Sequence, residues 1–262
     1  MTIFIADIGS NALTLEQACQ SIYAAKKAGA DIVKFQLFSE HDLYGEGSKE
    51  RRIEPWLPKL AEICADLGVE FGCTAFSVNG LSIVDPYVKT HKVASSCITH
   101  EPLLDAVALT GKNVFLSAGA ATLEEIYAAL NRLNMTRIHV DVLYCPACYP
   151  SRWCDVRLVA ELKKALPWYV GVGFSDHTVD VFNAPLQAIK KGATVVEKHF
   201  TAFPELQTPD RGHSLTQSEF LAMVTAARKP PIFGPSPEEK DFRDFCQVRF
   251  IDGKGWVRRR KL

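Results

Sequence analysis

Short apolar runs alternate along the chain with longer segments in which apolar residues recur at helical spacing. The short runs are typical of strands buried on both faces, and the longer segments are typical of amphipathic helices. We predict eight strands, over residues 2–9, 31–38, 70–76, 91–96, 113–119, 137–145, 169–177 and 193–200. The clearest helices are predicted over residues 14–29, 55–68, 122–134 and 155–166.

The ends of these helices carry the residues that caps require. Thr14 and Thr122 precede helical segments that have acids soon after, as N-cap residues do. Gly29 and Gly68 stand between a helix and the next strand, where a glycine commonly ends a helix. Eight strands alternating with helices predict a (β/α)8 TIM barrel, for which about 250 residues is typical. An open doubly wound sheet is the alternative, but no G-x-G-x-x-G follows the first strand.

The alternation of strands and helices stops before the C-terminus. Residues 229–241, KPPIFGPSPEEKD, are rich in proline and charge, and the chain ends on the basic stretch WVRRRKL. Such segments are typical of linkers and solvated tails. We therefore predict a catalytic barrel over residues 1–228, followed by a linker and a short basic C-terminal tail over residues 229–262.

Composition and charge narrow the class of protein. Thirty basic residues balance thirty acidic ones, so no global charge favours nucleic acid or a membrane surface. The N-terminal MTIFIADIGS is too short and too soon acidic for a secretory signal, and no apolar run reaches the roughly 20 residues that span a bilayer. Eight cysteines in a long chain without such a signal are expected to be reduced thiols. We therefore expect a cytoplasmic protein.

Polar side chains recur near the carboxyl ends of the predicted strands. Barrel enzymes build their sites at these ends, and polar groups inside apolar strands cost free energy unless they find partners or a ligand. Their recurrence at one end therefore predicts a site. The residues are Asp7, Asn11, Lys34, Gln36, Thr74, Lys92, Ser95, Ser117, Tyr149, Ser175, His177, Glu197 and His199.

Two pairs within this set indicate an anion and a metal ion. Lys34 and Lys92 in one cavity repel each other unless an anion lies between them, and the nearby hydroxyls would add donors. His177 and His199 follow adjacent strands and could bind a divalent cation. Isolated histidines are as often ordinary core or cleft residues, so the residues alone leave this second point open.

Two other features have simpler interpretations. Alternation along the eighth strand directs Lys198 away from the barrel interior, where we expect it to pair with an acid on a helix. Cys145 and Cys148 form one C-x-x-C, for which zinc and redox chemistry are alternatives. Because no second pair accompanies it, two reduced thiols at a strand end are the preferred interpretation.

Nine stretches of the chain together resemble the sialic acid synthase family, whose members condense phosphoenolpyruvate with an aldose. The stretches follow the family's order over about residues 3–225. They are IADIGSN, AAKKAGADIVKFQ, FGCTAFS, HKVASSCITHEPLL, VFLSAGAATLEEI, YCPACYPS, GFSDHTVD, GATVVEKHFT and TPDRGHSL. The resemblance implies a metal-dependent transferase in which C3 of phosphoenolpyruvate attacks an aldehyde and phosphate leaves. It implies manganese as the metal, with magnesium or cobalt as alternatives.

The resemblance also implies roles for individual residues. The metal ligands carry over as His177 and His199. The phosphoenolpyruvate positions carry over as Lys34, Thr74, Lys92, Ser95, Ser175 and His177, and the acceptor-side positions as Gln36, Tyr149 and Asp210. We expect the catalytic residues to be His177, His199, Asp210, Lys92 and Asp7. Asp210 follows the last strand and would orient the acceptor or water, or assist proton transfer.

Departures from the family pattern fall mainly on the acceptor side. Family members usually have Glu at the position of Asp7, His at Ala12, Glu at Cys97, Asn at Ala147 and His at Arg211. His213 lies near Arg211. Cys97 would face the acceptor, as a small apolar filler or as a nucleophile. The chain ends near the linker that in the family leads to a small antifreeze-like domain, and we expect that domain to be missing. We therefore expect a changed acceptor, or a separate capping subunit.

Three functions are compatible with the sequence. The leading one is metal-dependent condensation of phosphoenolpyruvate with an aldose or other aldehyde to give a 2-keto acid. The alternatives are a non-catalytic relative that binds phosphoenolpyruvate or a sugar, and a metal-dependent aldolase or isomerase on the same barrel. The expected partners are phosphoenolpyruvate, a small aldehyde or sugar, and either a second copy of the chain in a homodimer or a separate capping subunit, but not nucleic acid or a membrane.

Overall fold

Eight parallel strands form a closed barrel in the computed structural model, which describes residues 2–38, 53–133, 138–229, 248–251 and 255–258. The strands pair in chain order, and the eighth pairs with the first. They are β1 Ile3–Asp7, β2 Ile32–Leu37, β3 Glu70–Ala75, β4 Thr90–Val93, β5 Asn113–Ser117, β6 Val140–Tyr144, β7 Gly171–Asp176 and β8 Val195–Thr201. Closure confirms the predicted (β/α)8 barrel and excludes the open sheet.

An α-helix follows each barrel strand within the described residues. These helices are α1 Leu15–Lys27, α2 Leu57–Asp66, α3 Val78–Val84, α4 Glu101–Leu109, α5 Leu123–Leu133, α6 Arg157–Ala165, α7 Asn183–Lys190 and α8 Gln217–Arg228. The four helices predicted most clearly correspond to α1, α2, α5 and α6. No described helix is long and apolar enough to cross a membrane.

The predicted caps form at the ends of three helices. Thr14 Oγ1 accepts a hydrogen bond from Gln17 N at 3.2 Å at the start of α1. Thr122 and Glu125 exchange side-chain and backbone bonds of 3.2 and 2.8 Å before α5, which is a capping box. Gly29 and Gly68 have φ values of 88° and 62° after α1 and α2. A left-handed backbone at this position is easiest for glycine, because it has no Cβ.

The barrel interior has an apolar layer and, nearer the carboxyl ends of the strands, a polar layer. The apolar layer consists of Ile5, Ile32, Phe115, Leu143 and Val195. Because side chains alternate along a strand, residues two positions further along β1, β2 and β8 face the same interior. These are Asp7, Lys34 and Glu197, and all three are buried. A larger apolar cluster packs the strands against the helices.

The chain divides into two compact units, Met1–Ala227 and Arg228–Leu262. In the first, a short strand β9, Leu215–Thr216, pairs with the end of β8. In the second, β10 Val248–Ile251 and β11 Gly255–Arg258 form an antiparallel pair that the sequence pattern did not predict. Residues 256–258 of the predicted basic tail lie in β11, and residues 230–241 of the predicted linker lie outside the described residues. The predicted domain boundary stays a prediction.

Candidate active site

A cavity of about 800 Å³ lies at the carboxyl ends of the barrel strands. Of the residues predicted to be catalytic, substrate-binding or metal-ligating, all but Cys97 line it, namely Asp7, Lys34, Gln36, Thr74, Lys92, Ser95, Tyr149, Ser175, His177, His199 and Asp210. The strands carry seven of these side chains, and the loops after the strands carry Ser95, Tyr149, His177 and Asp210. Barrel closure therefore brings together residues that are up to 203 positions apart, from Asp7 to Asp210.

Two carboxylates accompany the two lysines on the cavity floor. Lys34 Nζ lies 2.8 Å from Asp7 Oδ2 and 3.9 Å from Glu197 Oε1, and Lys92 Nζ lies 3.7 Å from the same Glu197 oxygen. Lys34 also donates to Thr74 Oγ1 at 3.1 Å, and Lys92 donates to Ser117 Oγ at 2.7 Å. An anion therefore lies between the two lysines, as expected, but the protein itself supplies it as the Glu197 carboxylate, so repulsion between the lysines does not by itself require an anionic ligand.

The ion pair between Asp7 and Lys34 keeps both groups charged. Burial by itself raises the pKa of Asp7, but the charges of Lys34 and His199 and the hydrogen bonds from Lys34 and Gln36 outweigh it and lower this pKa to about 2. Burial by itself lowers the pKa of Lys34, but Asp7 and Glu197 more than offset this, so the net shift is upward. Gln36 Nε2 donates to Asp7 Oδ2 at 3.0 Å. Asp7 is thus a fixed carboxylate and a weak base.

Glu197 occupies the centre of the polar floor. Its Oε1 accepts a hydrogen bond from Ser175 Oγ at 3.2 Å, while Oε2 is buried and has no hydrogen-bond partner among the described residues. A buried carboxylate oxygen without a partner is costly, so a ligand or water that donates a hydrogen bond would be stabilised here. Sequence reasoning placed Glu197 on the correct face but did not anticipate its position between the two lysines.

His177 follows β7 and is held by a backbone carbonyl. Its Nδ1 lies 2.7 Å from Pro146 O, and because a carbonyl only accepts, Nδ1 carries the proton and Nε2 is an acceptor. Burial and the neighbouring charge of His199 hold the pKa of His177 well below its ordinary value. The ring of Tyr149, at the cavity rim, lies 4.1 Å from that of His177. His177 is therefore a neutral, oriented imidazole, as metal-ligating histidines are.

His199, Asp210 and His213 form a compact group beside His177. One ligand atom from each lies within 4.8 Å of the other two, and among the described residues this group could hold a metal ion. Burial, together with the charge of His199, lowers the pKa of His213 to about 4, so this ring is neutral. Sequence reasoning noted that His213 lay near Arg211 but gave it no role, because the path of a loop after a strand cannot be read from residue spacing.

Contacts with the first loop hold Asp210 in place. Ser10 N donates to Asp210 Oδ2 at 2.6 Å, and Ser214 Oγ donates to Asp210 O. Asn11 Nδ2 donates to Phe200 O at 2.9 Å and to Ser214 Oγ at 2.8 Å. Asn11, which sequence reasoning placed among the polar strand ends, therefore joins the first loop to the eighth.

The backbone of Gly9 runs directly beneath the group. Gly9 has a φ of 50°, and a Cβ built on it would collide with Asp210 Oδ2 and lie 3.1 Å from His199 Nδ1. Only glycine leaves room for this contact and also adopts this backbone conformation without strain. Gly9 is therefore a further residue that the site requires.

Two sequence expectations are corrected by side-chain positions outside the cavity. Lys198 does not line the cavity and is fully buried, but its partner is Asp176 at the end of β7, not an acid on a helix. The register of β7 and β8 places these two residues side by side. Cys97 is not among the described residues that line the cavity, and its Sγ lies 3.9 Å from Phe76 O. Cys145 lines the cavity and Cys148 is exposed.

Known proteins are similar to this chain in sequence and in fold. N,N'-diacetyllegionaminic acid synthase of Legionella pneumophila is 30% identical, over 100% of this chain and 82% of that protein. Pseudaminic acid synthase of Helicobacter pylori is 29% identical, over 82% of this chain and 70% of that protein. The crystal structure of N-acetylneuraminic acid synthetase from Leptospira borgpetersenii serovar Hardjo-bovis, in complex with citrate, has a TM-score of 0.81 at 26% identity and covers 93% of this chain and 91% of that chain.

A family model supports the same grouping over most of the barrel. The model described as NeuB family matches residues 51–231, which is more than half of the chain. The resemblance to sialic acid synthases found in the nine sequence stretches is confirmed by this match and by the named relatives. The chain belongs to the NeuB family.

Proposed function

We propose that this protein catalyses the metal-dependent condensation of phosphoenolpyruvate with an aldose or another aldehyde to give a 2-keto acid and phosphate. The observation that carries the proposal is one cavity in which two lysines, neutral histidines and Asp210 converge at the carboxyl ends of the strands. The relatives named as legionaminic and pseudaminic acid synthases support a synthase with a sugar acceptor.

The lysines retain donors for an anionic substrate. An ammonium group has three N–H donors. Within the described residues Lys34 uses two of them, with Asp7 and Thr74, and Lys92 uses one, with Ser117. The remaining donors would bind the phosphate and carboxylate of phosphoenolpyruvate, with hydroxyls of Ser95 and Ser175 beside them. Asp7, whose pKa is about 2, would hold Lys34 and Gln36 in position without acting as a base.

The reaction needs proton transfers that the side chains can serve. C3 of phosphoenolpyruvate bonds to the aldehyde carbon, the aldehyde oxygen gains a proton, water adds at C2 with loss of a proton, and the C–O bond to phosphate breaks. A divalent metal, held by histidines and Asp210, would polarise the aldehyde as a Lewis acid. Asp210 or neutral His177 would accept the proton from water. The buried floor would exclude other water from the reacting carbons.

We also propose an acceptor that differs from an N-acetylhexosamine. Small side chains, among them Ala120 and Ala121, line the cavity. Such side chains leave room but offer no side-chain hydrogen bond to a sugar substituent. A homodimer or, alternatively, a separate capping subunit is part of the proposal, as is a cytoplasmic location, and the free thiols of Cys64 and Cys73 fit a reducing compartment.

Phosphate release and calorimetry test the proposal. With manganese, phosphoenolpyruvate and a panel of aldoses, we expect one acceptor to give phosphate and an equal amount of a 2-keto acid detected by mass spectrometry. Phosphoenolpyruvate binding should be lost in Lys92→Ala and kept in Lys59→Ala, whose side chain is 54% exposed outside the cavity. Binding without turnover on every acceptor would instead indicate a non-catalytic relative. Metal binding without phosphoenolpyruvate binding would indicate an aldolase or isomerase.

A further inference from the structure

We infer that His213 is a metal ligand in this protein and that His199, Asp210 and His213 together bind one divalent transition-metal ion. This ligand role adds a residue to the metal site of the proposed function, and its importance for catalysis rests on that proposed function. The binding itself can be tested with metal alone, without phosphoenolpyruvate or an acceptor. It extends the predicted pair of His177 and His199 by a residue to which the sequence assigned no role.

The distances within the group fit ligands around one ion better than hydrogen bonds. His199 Nδ1 lies 3.7 Å from Asp210 Oδ2, and His213 Nε2 lies 3.8 Å from Asp210 Oδ1. Both separations exceed the roughly 3.2 Å limit of an N–H···O hydrogen bond. Two ligand atoms that are each about 2.1 Å from one ion are separated by roughly 3.0–3.6 Å at angles near 90–120°. The observed separations of 3.7 and 3.8 Å lie just above this range, so an ion would draw the three side chains slightly together.

The ring nitrogens of the group lack other partners. Both nitrogens of His213 and Nδ1 of His199 are buried and have no hydrogen-bond partner among the described residues. The two residues are only 4% and 5% exposed. Buried polar atoms without a partner are rare in folded proteins, and each one calls for a ligand, an ion or a water. A metal ion would satisfy a nitrogen of each ring at once.

The protein holds Asp210 in an orientation that suits ligation. The Ser10 N–H bonds to Oδ2, which orients the carboxylate so that Oδ1 faces His213. Hydrogen bonds of this kind to ligating carboxylates are common around metal ions, because they orient the ligand before the ion binds. The backbone of Gly9 lies close to Asp210 and His199, and this contact helps to keep the two side chains in the same arrangement.

His177 lies farther from the group than its members lie from each other. The rings of His199 and His213 are 4.6 Å apart, whereas that of His177 is 5.7 Å from His199 and 6.1 Å from His213. The Nε2 of His177 remains available as an additional ligand. Two imidazoles with one carboxylate favour manganese, iron, cobalt or zinc over magnesium or calcium, which prefer oxygen ligands.

Titration of the metal-free chain with manganese chloride, with no substrate present, tests the role of His213. We expect His213→Gln and His199→Gln each to weaken manganese binding on the order of 100-fold. His139→Gln is the matched control, because His139 is half exposed outside the cavity and should bind manganese like the parent chain. Circular dichroism and thermal midpoints establish that each variant is folded.

A second variant reports ligation directly and does not depend on a loss. His213→Cys loaded with cobalt should give a near-ultraviolet thiolate-to-cobalt absorption band that is absent from the parent chain and from His139→Cys. The inference is overturned if His213→Gln binds manganese like the parent chain, or if His213→Cys gives no such band. Because neither measurement contains substrate, a positive result would stand even if no acceptor ever released phosphate.

Discussion

Lys198 and Asp176 form an ion pair with 2.7 Å between Nζ and Oδ2, and neither side chain is exposed to solvent. Burial raises the pKa of Asp176, although Lys198 opposes this shift. Lys198 also donates to Thr178 O at 2.6 Å and to Asp180 O at 3.2 Å. Lys198 therefore joins β8 to the end of β7 and to the loop that follows β7, directly beside His177.

Breaking this pair should destabilise the barrel strongly. Lys198→Met leaves the Asp176 carboxylate buried without its cation, which costs about 3–5 kcal/mol of unfolding free energy. Urea unfolding followed by circular dichroism measures the loss. The double variant Asp176→Asn/Lys198→Met removes both charges and should recover part of it. Equal midpoints for the parent chain and Lys198→Met would contradict the structural role.

Removing the charge of Glu197 should strengthen anion binding. The Glu197 carboxylate lies within 4 Å of Lys34 and Lys92 and repels an anion that approaches them. At an effective dielectric constant near 20, the repulsion between two unit negative charges about 6 Å apart is about 3 kcal/mol. Because solvent screens part of this repulsion, we expect Glu197→Gln to bind phosphoenolpyruvate about 10-fold more tightly. Calorimetric titration of Glu197→Gln with phosphoenolpyruvate measures it.

The matched control for that variant is Glu161→Gln, because Glu161 is exposed on α6. Its affinity for phosphoenolpyruvate should equal that of the parent chain. If Glu197→Gln binds more weakly, Glu197 mainly positions the two lysines, and the repulsion is the smaller effect.

Alanine at Gly9 should damage the site far more than alanine at another left-handed glycine. Gly9 and Gly68 have similar φ values, 50° and 62°, so either substitution strains the backbone by about 1–2 kcal/mol. Only at Gly9 does the new Cβ meet Asp210 and His199, whereas at Gly68 it meets nothing within 4 Å. We expect Gly9→Ala to lose at least as much stability in urea as Gly68→Ala, and only Gly9→Ala to lose manganese affinity, by at least about 10-fold. Equal manganese affinities would show that Gly9 does not position the group.

His91 should make stability depend on pH. It is buried on β4, and its Nε2 lies 3.0 Å from Asp85 Oδ1, which Lys112 also contacts at 2.8 Å. Burial lowers the pKa of His91 below its ordinary 6.5 despite Asp85. Below pH 6.5, His91 of the unfolded chain takes up a proton, whereas buried His91 of the folded chain stays neutral until the pH reaches its lowered pKa. The free energy of unfolding therefore decreases as the pH falls from 6.5 toward that lowered pKa.

Substitution of His91 measures this contribution. Urea midpoints between about pH 5 and 8 should change less with pH in His91→Gln than in the parent chain. An unchanged slope in His91→Gln would assign the pH dependence to other groups.

Much of the fold and the place of the site could be predicted from residue patterns. Thr14, Gly29 and Gly68 mark helix ends by local rules, and the structure confirms each of them. Alternation along β8 was enough to separate Glu197 and His199 from Lys198. These features depend only on neighbours within a few residues, so spacing along the chain determines them.

Other features depend on distances that no local pattern contains. The compensation of Lys34 by Asp7 requires the register of β1 and β2, which places these residues side by side. The group of His199, Asp210 and His213 requires the path of the loop after β8. Spacing in the sequence leaves both undetermined.

The sequence by itself determined a (β/α)8 barrel, membership of the NeuB family and a polar site at the carboxyl ends of the strands. The barrel and the site follow from the periods of apolar residues and from polar residues repeated at one position of each strand, whereas the family membership follows from the nine stretches that resemble sialic acid synthases. Only the tertiary structure decided that the cavity floor is charge-compensated, that Lys198 pairs with Asp176 and that His213 lies in one group with His199 and Asp210. The physical reason is that electrostatic and ligand contacts act over a few ångströms, and barrel closure and the loop path set those distances.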